Sequence, residues 1–202
     1  MSNYLKLTKD KIKKLLSNHQ SYRLNISNQR QRYLLELRDY EDLLDSIALS
    51  SVRLSDVPSG QTNKVSDPTY KSYLKLSNAR YTEKILKMQQ NILELEQQEL
   101  ALERVCESFH KMMWLSPIAY RVATELSFVE LTRRTFTWES MAKELGCSKS
   151  YINIALNTTY DFVKLLYDSE FETEEIKRMS EDELTDYIYD NASSLLEQIN
   201  KF

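Results

Sequence analysis

Two glycines, Gly60 and Gly146, are all that this 202-residue chain contains. Sheet-rich folds use glycine and proline in their many tight turns, and proline is equally scarce, at Pro58, Pro68 and Pro117. Long helices with few connections meet that constraint. The same scarcity excludes P-loop and dinucleotide-binding chemistry, because a phosphate cradle needs clustered glycines. With 42% hydrophobic and 28% charged residues, the chain is globular rather than disordered.

The periodicity is helical. Ile12, Leu15, His19, Tyr22 and Ile26, then Tyr33, Leu37, Tyr40, Leu44 and Ile47, recur in steps of three and four, the signature of a heptad seam. Thr8 is placed to cap this stretch and Asp10 to favour its dipole. The spacing predicts one helix over residues 8–48, or two stacked ones with a break near Leu24–Asn28, where Gln29 makes the seam polar. Residues 49–66 hold Pro58 and Gly60 without a sustained period and are expected to form a loop. A loop of that length is either mobile or functional. Asp67 and Pro68 then supply an N-cap and a first helical residue. The second seam runs through Leu74, Tyr81, Ile85, Met88, Ile92, Leu95, Leu102, Cys106, Phe109 and Met113, with Asn78 and Glu99 as polar interruptions. Its helix is ~70 Å long at ~1.5 Å per residue. Both seams must be covered. They are expected to close as a long antiparallel coiled-coil-like hairpin, within a chain or between chains, and to favour a homo-oligomer.

Pro117 ends that helix. A further one is expected over Ser116–Arg134, apolar at Ile118, Val122, Leu126, Val129 and Leu131. The last helix, Ser180 to Asn200, opens on a capping box at Ser180 and Glu183. Its apolar face is Leu184, Ile188, Ala192, Leu195 and Ile199. The expected organisation is all-α: a hairpin over residues 1–113, a helix-turn-helix domain over 114–167 and an acidic C-terminal helical segment over 168–202.

Residues 137–157 carry the motif with functional content. Thr137 caps a short helix, Trp138–Leu145. Gly146 ends it where a positive φ is wanted. Ser148 caps a second helix reaching about Tyr167. Ala142 permits close approach, and Met141, Leu145 and Ile152 supply the contacts. Two short helices joined by a glycine turn describe a helix-turn-helix. The outward positions of its second helix are Ser148, Lys149, Ser150, Asn153 and Asn157, with Tyr151 at the margin. Hydroxyls and a helix N-terminus suit phosphates, and asparagine can read adenine.

On these residues a resemblance can be stated. Leu115 to Leu166, through SPIAYRVATELSFVEL and TWESMAKELGCSKSYI, resembles the region-four domain of bacterial sigma factors. It is closer to the sigma-like phage regulators of the ArpU and RinA type, whose N-terminal half LSDVPSGQTNKVSDPTY is also similar to. The resemblance implies a transcription-regulating, DNA-binding protein of late phage genes, with double-stranded DNA and RNA polymerase as partners, in the cytoplasm of a bacterial host. The chain departs from the family in its second helix, where Ile152–Leu166 has Lys164 as its sole cation and adds Asp161. Phosphate neutralisation supplies much of DNA affinity. Dimerisation, Arg133, Arg134 or the basic N-terminus would have to compensate.

Charge is unevenly spread. Residues 1–38 hold nine Lys/Arg against Asp10 and Glu36, and residues 168–202 hold eleven acids against three bases. The basic end suits a phosphate backbone or an acidic partner; the acidic end does not suit DNA. Cys106 and Cys147 have no metal-ligand spacing and read as reduced, buried thiols. His19 and His110 are too far apart in sequence to suggest a catalytic pair or metal site. No catalytic residue, metal or cofactor is expected. No apolar run approaches the ~18 residues of a membrane span, and the first twenty residues lack a signal-peptide core; a soluble, cytoplasmic protein without membrane contact is expected. The competing reading is a protein–protein adaptor or inhibitor that binds through the hairpin and keeps the helix-turn-helix as scaffold.

Overall fold

The computed structural model describes residues 5–55, 68–127 and 137–202. Every regular element among them is an α-helix. In chain order these are α1 (Lys9–Ser17), α2 (His19–Ser55), α3 (Pro68–Leu115), α4 (Pro117–Ser127), α5 (Trp138–Leu145), α6 (Lys149–Tyr167), α7 (Thr173–Arg178) and α8 (Glu181–Ile199). They form two compact units: residues up to Asn25 together with Gln97–Phe202, and Ile26–Glu96. These units cut across the division at 113/114 and 167/168 expected from the sequence.

Within Ile26–Glu96, α2 and α3 are joined by polar and aromatic contacts. The Arg30 guanidinium meets Glu96 Oε1 at 3.0 Å. Ten residues on, the Tyr40 ring lies 5.9 Å from that of Tyr81, with the Lys84 ammonium 5.2 Å above it. Ile26, Ile92 and Leu95 are buried here. Of the expected seam, the side chains of Leu44, Ile47, Leu74 and Asn78 lie outside the described residues.

The larger unit is organised around α6, against which α1, α4, α5 and α8 all pack. Ten of its nineteen residues are buried, Ile152, Ala155, Phe162, Val163 and Leu166 among them. From α4, Ala119, Val122 and Ala123 enter the same core; from α1, Ile12 and Leu16; from α8, Leu184, Ile188, Leu195 and Ile199. Thr158 and Thr159 are buried in α6 without loss of hydrogen bonds: Thr158 Oγ1 bonds Gln198 Oε1 at 3.3 Å, and Thr159 Oγ1 donates to the Ala155 carbonyl at 2.9 Å.

Several boundaries differ from expectation. The N-terminal break falls at Asn18, not near Leu24–Asn28, through which α2 runs unbroken. Asn18 leaves helical geometry (φ −122°, ψ 31°) and its side-chain amide donates back to the Lys14 carbonyl. Core burial of Ile12 and Leu16 gives α1 a destination of its own, and the polar Gln29 does not interrupt α2. Residues 49–55, expected to be loop, continue α2; nothing in LSSVRLS breaks a helix, and the first breaker is Pro58. Residues 56–66 of that loop lie outside the described residues. So do 128–136, with Val129, Leu131, Arg133 and Arg134. The inner face of α4 is Ala119, Val122 and Ala123, while Ile118 is exposed. The short helix α7 lies where the sequence pattern predicts no separate helix. Both cysteines are free and half-buried, and burial, reinforced by Glu107, pushes the Cys106 thiol up to about 12.

The larger unit holds a fully buried cation. Arg104 of α3 donates from Nε to the Tyr167 carbonyl at 2.9 Å, from Nη2 to the Leu166 and Ser169 carbonyls at 3.2 and 2.8 Å, and from Nη1 to the Phe171 carbonyl. These acceptors are the last turn of α6 and the segment beyond it, where helical carbonyls have no internal partner and the dipole is negative. One helix turn-pair further, Lys111 does the same for α7, donating to the Lys177 and Met179 carbonyls at 2.9 and 2.8 Å. Burial lowers the Lys111 pKa, while Glu107 and Glu183 oppose that shift. Replacing Arg104 by alanine removes a buried donor from four carbonyls, of which Leu166 keeps the Ser169 N–H and hydroxyl. It is expected to destabilise the fold by about 3–5 kcal/mol in urea unfolding, with Arg104→Lys intermediate because an ammonium lacks the planar fork.

Candidate nucleic-acid interface

The candidate surface is built on the turn between α5 and α6. Thr137 Oγ1 accepts from the Ser140 N–H at 3.1 Å, and Ser140 Oγ returns the bond to the Thr137 N–H at 3.0 Å. This closed box fixes the start of α5. At its end Gly146 adopts φ +63°, ψ 28°. A Cβ there would meet nothing within 4 Å, so glycine is required by backbone conformation and not by space. The Cys147 N–H donates to the Ala142 carbonyl at 3.0 Å. Ser148 Oγ then accepts from the Tyr151 N–H at 3.1 Å and starts α6. Met141 and Ile152 are buried between the two helices, and Ala142 is nearly so.

The expected surface residues meet different fates. Ser150, Asn153 and Asn157 are exposed on one stripe of α6. Asn157 Nδ2 donates to Asn153 Oδ1 at 3.2 Å, which orders the two amides side by side. Ile154, half exposed, flanks them. Lys149 is exposed but engaged, its ammonium 2.6 Å from Glu139 Oε1 across the turn. That hydrogen bond and charge hold the Glu139 carboxyl below its ordinary value. Thr137 and Ser148 are exposed, with their oxygens committed to the caps. Tyr151 is turned away from the stripe: its ring meets Phe202 edge-on at 5.0 Å and its hydroxyl donates to the Lys201 carbonyl at 3.5 Å. Arg121 of α4 pairs with Glu144 of α5. Arg133 and Arg134 lie outside the described residues.

Sequence reasoning missed where the basic N-terminus goes. Lys9 Nζ sits 2.6 Å from Asp161 Oδ1, on the exposed stripe of α6. Lys164 Nζ donates to the Leu7 carbonyl at 3.4 Å, and the Tyr167 hydroxyl to the Leu5 carbonyl at 2.7 Å. Asp161, the acid on the outward stripe of α6, is therefore paired with a lysine some 150 residues earlier in the chain. The available signal was the amphipathic pair Ile12 and Leu16 within KDKIKKLL, which needs an apolar partner surface.

Among the described residues, no group of His, Cys, Asp and Glu side chains is arranged to hold a metal ion. No helix among them is long and apolar enough to cross a membrane. Comparison of the chain with protein-family models, with curated proteins and with solved structures finds no match in any of the three.

Gly146→Ala is expected to cost about 1–2 kcal/mol, the price of a Cβ in left-handed geometry. Thermal unfolding measures it, and an unchanged midpoint contradicts the conformational account of this turn.

Proposed function

We propose that this chain is a DNA-binding transcriptional regulator: an antiparallel helical hairpin carrying a helix-turn-helix, α5 and α6, whose second helix reads the major groove with its N-terminal half. The observation that carries the reading is the capped α5–Gly146–α6 turn with Ser150, Asn153 and Asn157 exposed beyond it. A helix presented by its N-terminal end, polar outward and buried inward, has the form that major-groove readers use. The sigma-like resemblance adds RNA polymerase as a partner and late phage genes, in the cytoplasm of a bacterial host, as the setting.

Equilibrium binding to a duplex selected by the wild-type chain tests the assignment. Asn153→Ala is expected to weaken binding by about 1–3 kcal/mol and to relax preference at one base pair. Lys149→Ala adds a loss that is uniform across sequences. Glu139→Gln releases Lys149 and steepens the dependence of log K on log salt by about 0.9, the value of one phosphate contact. Unchanged affinity in the Lys149→Ala, Asn153→Ala double variant removes α6 from the interface.

A second reading, a protein–protein adaptor, is favoured by a different observation. Leu34, Leu35, Leu86 and Leu93 are exposed on the Ile26–Glu96 unit, apolar area of the kind that marks protein contacts. A homo-oligomer formed there also suits a regulator, since two modules bind with avidity. Leu86→Glu with Leu93→Glu is expected to lower the sedimentation mass from oligomer to monomer. A wild-type chain that is monomeric at high concentration contradicts self-association.

A further inference from the structure

The α6 stripe lacks the cations that a DNA-binding surface needs, and α1 brings them to it. We infer that the N-terminal segment, through Lys6, Lys13 and Lys14, is the phosphate-binding flank of the α6 surface; this rests on the DNA reading above and specifies which charges hold the backbone.

The placement is fixed by contacts. The Leu5 and Leu7 carbonyls accept from Tyr167 and Lys164, and Lys9 pairs with Asp161. The Lys13 ammonium lies 6.0 Å from the centre of the Tyr160 ring. Ile12 and Leu16, both fully buried, clamp α1 to the core. The segment therefore lies along residues 160–167 of α6. Asp161 is on the same stripe as Asn153 and Asn157, in steps of four. It is ~6 Å beyond Asn157 at ~1.5 Å per residue. A helix in a major groove ~12 Å wide has a phosphate wall on each side. With the N-terminal half of α6 against the bases, α1 stands beside the flanking backbone.

The charges agree with that position. Lys9 is spent on Asp161 and Lys164 on Asp168. Lys6, Lys13 and Lys14 are exposed, and Lys9 and Lys13, one turn apart, line one edge of α1. Cations on α1 (Lys13, Lys14) and on the segment that leads into it (Lys6) suit sequence-independent phosphate contact, while the asparagines of α6 carry base discrimination. The two functions are thus divided between segments far apart in the sequence.

The test is the salt dependence of binding to a labelled mixed-sequence duplex, measured on the full chain. In Lys6→Gln/Lys13→Gln/Lys14→Gln, three lost contacts are expected to reduce the slope of log K against log salt by about 2.7, at ~0.9 per phosphate. The base preference of the selected duplex stays the same. Lys6→Arg/Lys13→Arg/Lys14→Arg is expected to restore the slope, which a purely structural role for these lysines does not explain. Lys177→Gln/Arg178→Gln, on α7, is the control and leaves the slope unchanged. A wild-type chain that does not bind duplex DNA even at low salt overturns both the DNA reading and this inference. Wild-type binding with an unaltered slope in the glutamine variant overturns the inference alone. So does loss of affinity for phosphatidylserine vesicles with DNA binding intact, which assigns the lysines to a lipid surface.

Discussion

The larger unit depends on what happens at the C-terminal end of α6. The last carbonyls of a helix lack the donors that the next turn would supply. Arg104 answers with a planar fork of donors to four carbonyls, from Leu166 to Phe171. A guanidinium keeps its charge when buried and suits the negative end of a helix dipole. The contact is directional, so it sets where α6 ends and how the chain turns afterwards. Lys111 repeats the device seven residues along α3, at the end of α7. The segment from Leu166 to Met179, which also lends Leu166, Tyr167, Ile176 and Met179 to the core, is thereby held against a helix that comes much earlier in the chain.

Anchoring α6 in this way makes it the central helix of its unit, and that explains its composition. A helix packed by four others has little surface left for cations. Its open stripe is short and polar, and its other sides carry Ile152, Phe162, Val163 and Leu166. A low count of basic residues on α6 is thus a consequence of architecture. The balance of charge around the stripe is set by other elements: Glu139 of α5 restrains Lys149, and Lys9 in the first turn of α1 pairs with Asp161. The adaptor reading draws support from the restrained lysine and the exposed leucines; the regulator reading draws it from the cap geometry and the paired asparagines.

What was legible in the sequence was local. Thr137, Gly146, Ser148 and Ser180 act within a few residues of themselves, and each caps as its spacing implies. The apolar face of α8 follows its periodicity at Leu184, Ile188, Leu195 and Ile199, whereas Ala192 is half-buried and kinks the helix (φ −156°, ψ 56°). What was not legible depends on partners distant in sequence. Arg104 reads as one more exposed charge in a charged helix, although Ala101, Val105 and Ser108 beside it are all buried, and that setting was the available clue. The position of α1 was hidden for the same reason: a heptad run through Ile12, Leu15 and His19 is identical whether the helix continues or turns at Asn18. Tyr151 looked like a marginal surface residue because nothing nearby in sequence reveals that Phe202 lies against it.

The claim that matters most is that the α6 stripe reads duplex DNA. Sequencing of fragments retained by the purified chain from a random duplex library, at low salt and with and without bacterial RNA polymerase, addresses it most directly. A single enriched motif, lost when Asn153 and Lys149 are both replaced by alanine, is the expected result; enrichment that requires polymerase makes the activity sigma-like. Retention of no motif under either condition contradicts the claim and turns attention to the exposed leucines of the Ile26–Glu96 unit.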